Sequence, residues 1–242
     1  MADKGGFWRR LRRNLLITVA AFVAVTFTCV LTMRWVPPVT TAFIVHGYVH
    51  AWLGRDFGWR ADRRWTPYEA ISRHVKLAVI ASEDQKFAFH PGFDFEAIDE
   101  AIKERERGKH LRGASTISQQ VAKNLFLWPG QSFIRKGFEA YLTLLIEWCW
   151  PKQRILEMYL NVAEFGDGVY GIGAAAPRYF HTDPAHVSQA QAALLATVLP
   201  NPEHLRLDRP GPYMYRRQAW VIEQMNALGG AKYIHEVDAP AH

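Results

Sequence analysis

Residues 66–92 read TPYEAISRHVKLAVIASEDQKFAFHPG. Ala70, Ile71, His74, Val75, Ala78 and Ala81 recur at helical spacing, so the stretch opens as a helix with one apolar face. Thr66, Pro67 and Glu69 supply its expected start: a capping hydroxyl, a proline suited to the first helical position, and the second half of a capping box. The helix closes on paired carboxylates, Glu83 and Asp84, and Phe87, Phe89, His90 and Gly92 follow within a short turn. A helix C-terminus disfavours negative charge. Aromatic neighbours remove water from a carboxylate. Both effects move its pKa toward neutrality, which suits a general acid or base. Glu83 is therefore a candidate catalytic residue, weighed against a plain solvated charge at a helix end.

The helical period continues downstream. Residues 95–107 read as a helix with a charged outer face, ended by the loop at 108–113. Ser115 is expected to cap a helix running to about residue 127. Residues 133–148 form a strongly apolar helix, and 151–162 another, with Pro151 at its first turn. Residues 166–173 read as a Gly-rich turn and 174–180 as a short helix. Ser188 and Gln191 make a second capping box, opening a helix to about 199, and 212–228 is the last helix. Period-2 alternation is nearly absent, so the expected class is all-α.

Upstream, residues 15–33 (LLITVAAFVAVTFTCVLTM) carry no charge. As a helix they cover about 28 Å, enough to cross a bilayer core. Arg9, Arg10, Arg12 and Arg13 precede them, so the positive-inside rule sets the N-terminus in the cytoplasm and the rest outside it. A cleaved signal peptide is disfavoured by the length of the run and by the lack of an Ala-x-Ala site before Pro37 and Pro38. A lipoprotein reading through Cys29 is disfavoured by Thr26, where a bulky aliphatic is usual. Residues 36–65 hold Phe43, Ile44, Tyr48, Trp52, Phe57, Trp59 and Trp65. Such a segment packs on the domain or lies at the lipid interface. The expected organisation is a basic tail (1–14), a membrane helix (15–35), an aromatic juxtamembrane segment (36–65), a catalytic domain (66–230) and a C-terminal tail (231–242).

Composition narrows the function. The 242 residues allow one domain plus accessories, and 49% hydrophobic content with 9 Trp and 14 Phe supports both a core and a lipid-facing surface. No internal repeat or low-complexity tract occurs. Lys4 and the four arginines, against Asp3, put +4 of the chain's +6 into its first 14 residues. The basic balance is thus a tail effect that speaks for membrane topology and against nucleic acid as a partner. Cys29 and Cys149 fall on opposite sides of the expected membrane boundary, so no internal disulfide is expected.

Further polar segments accompany Glu83. In residues 112–124, RGASTISQQVAKN, a small-residue loop feeds a helix N-terminus, which offers N–H groups and a positive dipole to an anion. Gln119, Gln120, Lys123 and Asn124 cluster on one side of that helix. Three amides in so short a span exceed what solubility needs, although a solvated helix face is the bland alternative. Arg135, Lys136 and Glu139 open the apolar helix at 133–148. Arg135 and Glu139 are i, i+4, which reads either as a surface ion pair or as a partly buried phosphate site. In residues 152–161, Ile155, Leu156, Tyr159 and Leu160 read as core. Residues 170–180 read first as packing and turn chemistry.

These five segments, in this order and spacing, resemble the motifs of glycosyltransferase family 51, which makes the glycan strands of bacterial peptidoglycan. The resemblance covers residues 66–230, and a membrane anchor is typical of it. It implies a lysozyme-like, α-helical fold. The chain looks like a monofunctional member, since the Ser-x-x-Lys and Lys-Thr-Gly motifs of transpeptidase-bearing relatives do not occur. By motif, Glu83 corresponds to the catalytic base and Glu139 to a second essential carboxylate. Ser115, Gln120, Lys123, Arg135 and Lys136 fall on positions of the donor and pyrophosphate site, with Gln119 and Asn124 beside them. Asp84, Phe87 and His90 are expected to support the site. One departure is Gln131, where relatives often carry Arg. The resemblance implies lipid II and a lipid-linked glycan strand as substrates, with membrane lipid as surroundings. Other proteins of cell-wall synthesis or division stay open as partners. For Glu139 three roles stay open: orienting a cation, holding a divalent metal such as Mg or Mn, or assisting the leaving group.

Two other readings compete. A lysozyme-like fold with two carboxylates also suits a muralytic enzyme. The cations at 123, 135 and 136 serve a pyrophosphate leaving group and are unneeded for a neutral sugar. A non-catalytic scaffold of the division machinery predicts degraded motifs, and these motifs are intact.

Overall fold

The structure, a computed structural model, describes residues 4–107, 115–130 and 132–239. Arg112, Gly113, Ala114 and Gln131 lie outside the described residues. The chain forms two compact units, residues 1–37 and 38–242.

The first unit is one long helix, α1 (Lys4–Met33). Its stretch from Trp8 to Met33 is long and apolar enough to cross a membrane. The helix starts well before residue 15, so the arginines of the expected tail stand on its first turns.

The second unit is helical with a small sheet, which is the all-α, lysozyme-like class expected. α2 (Ala42–Leu53) is capped by Thr41, whose hydroxyl accepts from the Ile44 N–H at 3.2 Å. The expected aromatic segment thus holds a helix, and α2 packs on the domain against α5 (Ile117–Phe126). Trp59 meets Tyr48 edge-on at 5.0 Å and donates through Nε1 to Asp167 at 3.1 Å. β1 (Asp62–Arg63) pairs parallel with β3 (Val169–Tyr170), and β3 pairs antiparallel with β2 (Glu164–Gly166). The Gly-rich turn at 166–173 is therefore partly strand. Gly173 is required there, because a Cβ would lie 2.0 Å from the Arg64 carbonyl oxygen.

α3 (Arg73–Glu83) starts later than its sequence suggests. Tyr68–Ala70 is a 3₁₀ turn and Ile71 is extended, so the helix begins at the Ser72 cap. The Ser72 hydroxyl accepts from the His74 N–H and donates to the Val187 carbonyl. Thr66 is drawn away from capping, its N–H donating to Asn161 Oδ1 at 2.7 Å. Tertiary hydrogen bonds outweigh the local capping pattern here.

α4 (Phe95–Glu106) follows as expected. α5 is capped by Thr116, not Ser115. A full capping box joins Thr116 to Gln119, whereas Ser118, three residues after Ser115, is too short to reach back. α6 (Phe133–Cys149), α7 (Lys152–Val162), α8 (Ile172–Phe180), α9 (Gln189–Ala196) and α10 (Pro212–Ala227) match their expected positions within a few residues. The Ser188–Gln191 capping box forms as read. The expected tail after 230 instead holds α11 (Ala231–Asp238), whose Tyr233, Ile234 and Val237 are buried.

α3 is the central helix. It packs against α9, α10 and α11, while α5 packs against α6 and α7. Ile80, Phe87, Ile117, Ile146, Tyr159 and Phe165 are fully buried between them. Burying each such side chain is worth roughly 1.5–3 kcal/mol, enough to hold the C-terminus of α3 and the N-terminus of α5 in fixed register.

Candidate active site

Glu83 is the last residue of α3, and Asp84 is its C-cap. The two carboxylates diverge. Asp84 turns inward and is buried. Its Oδ1 pairs with His90 Nε2 at 2.8 Å and its Oδ2 accepts from the Ile117 N–H at 3.0 Å. It therefore satisfies a free N–H of the first turn of α5 and ties two helix ends together. His90 Nδ1 accepts from the Gly92 N–H at 3.1 Å, which assigns the proton on Nε2 to the bond with Asp84. Gly92 has φ +91°, and a Cβ there would lie 2.8 Å from Thr143 Cγ2. Phe87 is fully buried, edge-on to His90 at 6.4 Å. Asp84, Phe87 and His90 thus form one buried cluster next to Glu83 in the chain.

Glu83 turns the other way, toward α5. Its Oε2 accepts from Gln120 Nε2 at 2.9 Å, and Ser82 Oγ donates to its Oε1 at 3.3 Å. Gln120 is held in turn by Tyr159, whose hydroxyl donates to Gln120 Oε1 at 3.1 Å. Burial pushes the Glu83 carboxyl above its ordinary value. The hydrogen bonds from Gln120 and Ser82, and the charges of Arg217 and Lys123, oppose that push without cancelling it.

Beyond Gln120 lies a cavity of about 390 Å³. Ser115, Gln119, Gln120, Lys123, Arg135, Lys136 and Glu139 line it, closed by Phe43, Pro129 and Gly130. Seven residues from two separate sequence segments, 115–123 and 135–139, therefore meet in one place. Three cations face a single carboxylate there. Arg135 Nη1 donates to Glu139 Oε2 at 2.7 Å, and Lys136 Nζ donates to Glu139 Oε1. Arg135 and Glu139 are both buried, so the pair is not the surface pair that its spacing also allowed. Arg135 Nε is buried without a hydrogen-bond partner among the described residues. A buried donor left unpaired is costly. Burial also lowers the pKa of Lys123, with Arg135 and Lys136 adding to that effect and Glu139 and Glu83 opposing it.

Two candidate ligand residues are placed differently from expectation. Asn124 is buried and does not line the cavity. Gln119 lines it, but its carbonyl oxygen accepts the Thr116 N–H in the capping box. A divalent metal does not fit Glu139, since both oxygens are held by cations. The described residues bring together no group of three or more His, Cys, Asp or Glu suited to a metal.

Several contributors escaped the sequence reading. Lys152 donates to the His90 carbonyl at 2.6 Å, pairs with Glu147 at 2.8 Å and sits over the Phe87 ring at 4.7 Å. Phe43 lies 5.6 Å from Lys123 Nζ in a cation–π contact. Arg217 places its charge near Glu83 from α10. None of these has a local sequence signal, because each acts across a tertiary contact.

A half-buried carboxylate beside a cationic, amide-lined cavity suits an enzyme that moves a group off an anionic carrier. The profile of the family described as Transglycosylase matches residues 52–226, and the chain belongs to that family of glycosyltransferases. A relative from Pseudomonas entomophila is 51% identical over 232 residues, 96% of each chain. One from Xylella fastidiosa strain M23 is 48% identical over 222 residues, 92% of this chain and 91% of its own. One from Xanthomonas oryzae is 48% identical over 226 residues, 93% of this chain and 92% of its own. All three are named biosynthetic peptidoglycan transglycosylase.

Proposed function

We propose that this chain polymerises lipid II into peptidoglycan glycan strands. Glu83 takes the proton from the 4-hydroxyl of the acceptor GlcNAc. That oxygen attacks C1 of the donor MurNAc, and the C1–O bond to undecaprenyl pyrophosphate breaks with inversion from α to β. The leaving pyrophosphate gains negative charge. Lys123, Arg135 and Lys136 are the groups available to stabilise it. Glu139 holds two of these cations in place and keeps the cavity's charge balanced before substrate arrives.

The observation that carries this reading is the Gln120 bridge. Its side chain donates to Glu83 and lines the cationic cavity, so one residue of α5 joins the base at the end of α3 to the leaving-group site. Cleavage of a neutral glycan needs no such cations. In this reading α1 is a single-pass anchor in the bacterial inner membrane, and the arginines at its start support a cytoplasmic N-terminus with the domain outside. The apolar outer side of α6, with Phe133, Ile134 and Trp148 exposed, dips into lipid.

The test is polymerisation of purified lipid II by the full chain. Glycan strands and released undecaprenyl pyrophosphate are expected. Release of soluble muropeptides from purified cell wall, with no polymer from lipid II, would overturn the reading.

A further inference from the structure

The turn after Glu83 is closed only in part by its own backbone. Phe87 N–H donates to the Asp84 carbonyl at 3.1 Å, and Phe89 N–H to the Lys86 carbonyl at 2.8 Å. The Gln85 carbonyl and the Ala88 N–H both turn to one external group, the Tyr233 hydroxyl. That hydroxyl donates to Gln85 O at 2.8 Å and accepts from Ala88 N at 3.3 Å. One side-chain oxygen thus serves a donor and an acceptor on opposite sides of the turn. The Tyr233 ring is buried and meets Phe89 edge-on at 5.8 Å. Burial pushes the phenol pKa up to about 12, so the hydroxyl keeps its proton throughout the working range.

The element carrying Tyr233 is itself anchored. Asp238, at the far end of α11, accepts from the Tyr68 hydroxyl at 2.7 Å and from Gln153 Nε2 at 3.1 Å. α11 packs on α3, which ends in Glu83, and on α7, which carries Tyr159. It also lies beyond residue 226, where the family match ends. The turn it grips joins Glu83 and Asp84 to His90, so any slack there moves the base relative to Gln120 and the cavity.

We propose that Tyr233 is a positioning residue for glycosyl transfer, its hydroxyl clamping the 85–88 turn so that Glu83 meets the acceptor hydroxyl at a fixed angle. The inference rests on the assignment of Glu83 as base. A misplacement of about 1 Å costs on the order of 100-fold in rate. Tyr233→Phe keeps the ring and its contact with Phe89 but removes both hydrogen bonds. We expect it to fold, with unchanged circular dichroism, and to lose roughly 10–100-fold in kcat while KM for lipid II stays within about two-fold. Deuterium uptake over residues 84–92 should quicken, with the other elements unaffected. Tyr233→Ala should lose more of both. Wild-type kcat in Tyr233→Phe, a loss lying entirely in KM, or unchanged exchange at 84–92 would each overturn the clamp. Glu83→Gln is assayed alongside. Full activity in that variant would sink the Glu83 assignment, while the exchange measurement still judges the clamp by itself.

Discussion

Glu83 and Lys123 face each other's charge across Gln120, and burial pushes their pKa values toward one another. A base whose pKa rises toward the working pH accepts a proton more readily. In the proposed mechanism the active form is ionised Glu83 with charged Lys123. Activity should therefore rise with pH through a limb above the ordinary carboxylate value of 4.5, and fall through a second limb below the ordinary lysine value of 10.5. A kcat/KM profile on lipid II checks this, and a first limb at or below 4.5 would contradict it. Glu83→Gln should lose roughly 10²–10⁴-fold in rate with the fold intact. It should also stabilise the protein. The folded pKa of Glu83 is raised, so its contribution to stability is present below about 4.5 and is lost as pH rises through the folded value. Glutamine does not ionise and escapes that loss. Thermal melts of the two proteins should differ in favour of Glu83→Gln at neutral pH and converge toward pH 4.

At the scale of elements, the cap of α5 carries much of the site's register. Thr116 accepts from Gln119 N at 3.2 Å and donates to the Gly92 carbonyl at 2.7 Å, so one hydroxyl starts the helix and fastens it to the His90 turn. Thr116→Ala should cost about 1–2 kcal/mol, a fall in Tm of roughly 2–8 °C. Ser115→Ala should leave Tm unchanged, because Ser115 is exposed and makes no cap. Calorimetry on the two variants separates the cap from its neighbour. This distinction was legible in the sequence: Thr116 has Gln119 at the third helical position, and Ser115 has only Ser118. The start of α3 was not legible in the same way. Thr66, Pro67 and Glu69 fit the local rule, yet Asn161 takes the Thr66 N–H from nearly a hundred residues away. The helices from α3 to α10 followed from periodicity because that signal is local, whereas α2 and α11 did not. Gln120 and Lys123 came from the pattern of one helix face. Tyr159, Arg217 and Tyr233 did not, since each reaches the site from a distant element and looks like ordinary core or surface in isolation.

Over the whole molecule, each of the two units carries an apolar feature of its own. α1 is long enough to cross a bilayer, and α6 presents Phe133, Ile134 and Trp148 to the outside at 98%, 74% and 78% exposure. Exposed side chains of that size on one helix mark a contact with something apolar. α6 opens with Arg135 and Lys136 facing the cavity, one turn from Phe133 and Ile134. Its first turn thus carries cations and exposed apolar side chains next to each other. A lipid-linked pyrophosphate has this same division, with a charged head and a polyprenyl tail. Sharing one bilayer raises the effective concentration of such a substrate without any new contact. Deleting residues 1–35 should therefore cost roughly ten-fold or more on long-chain lipid II in vesicles, and far less on short-chain analogues in detergent. The deleted protein should still sediment with vesicles through α6, and lose that association when Phe133, Ile134 and Trp148 are changed to serine. Equal losses on both substrates would argue that α1 supports the fold and not the encounter. Vesicle binding that survives the triple change would remove α6 from the membrane face.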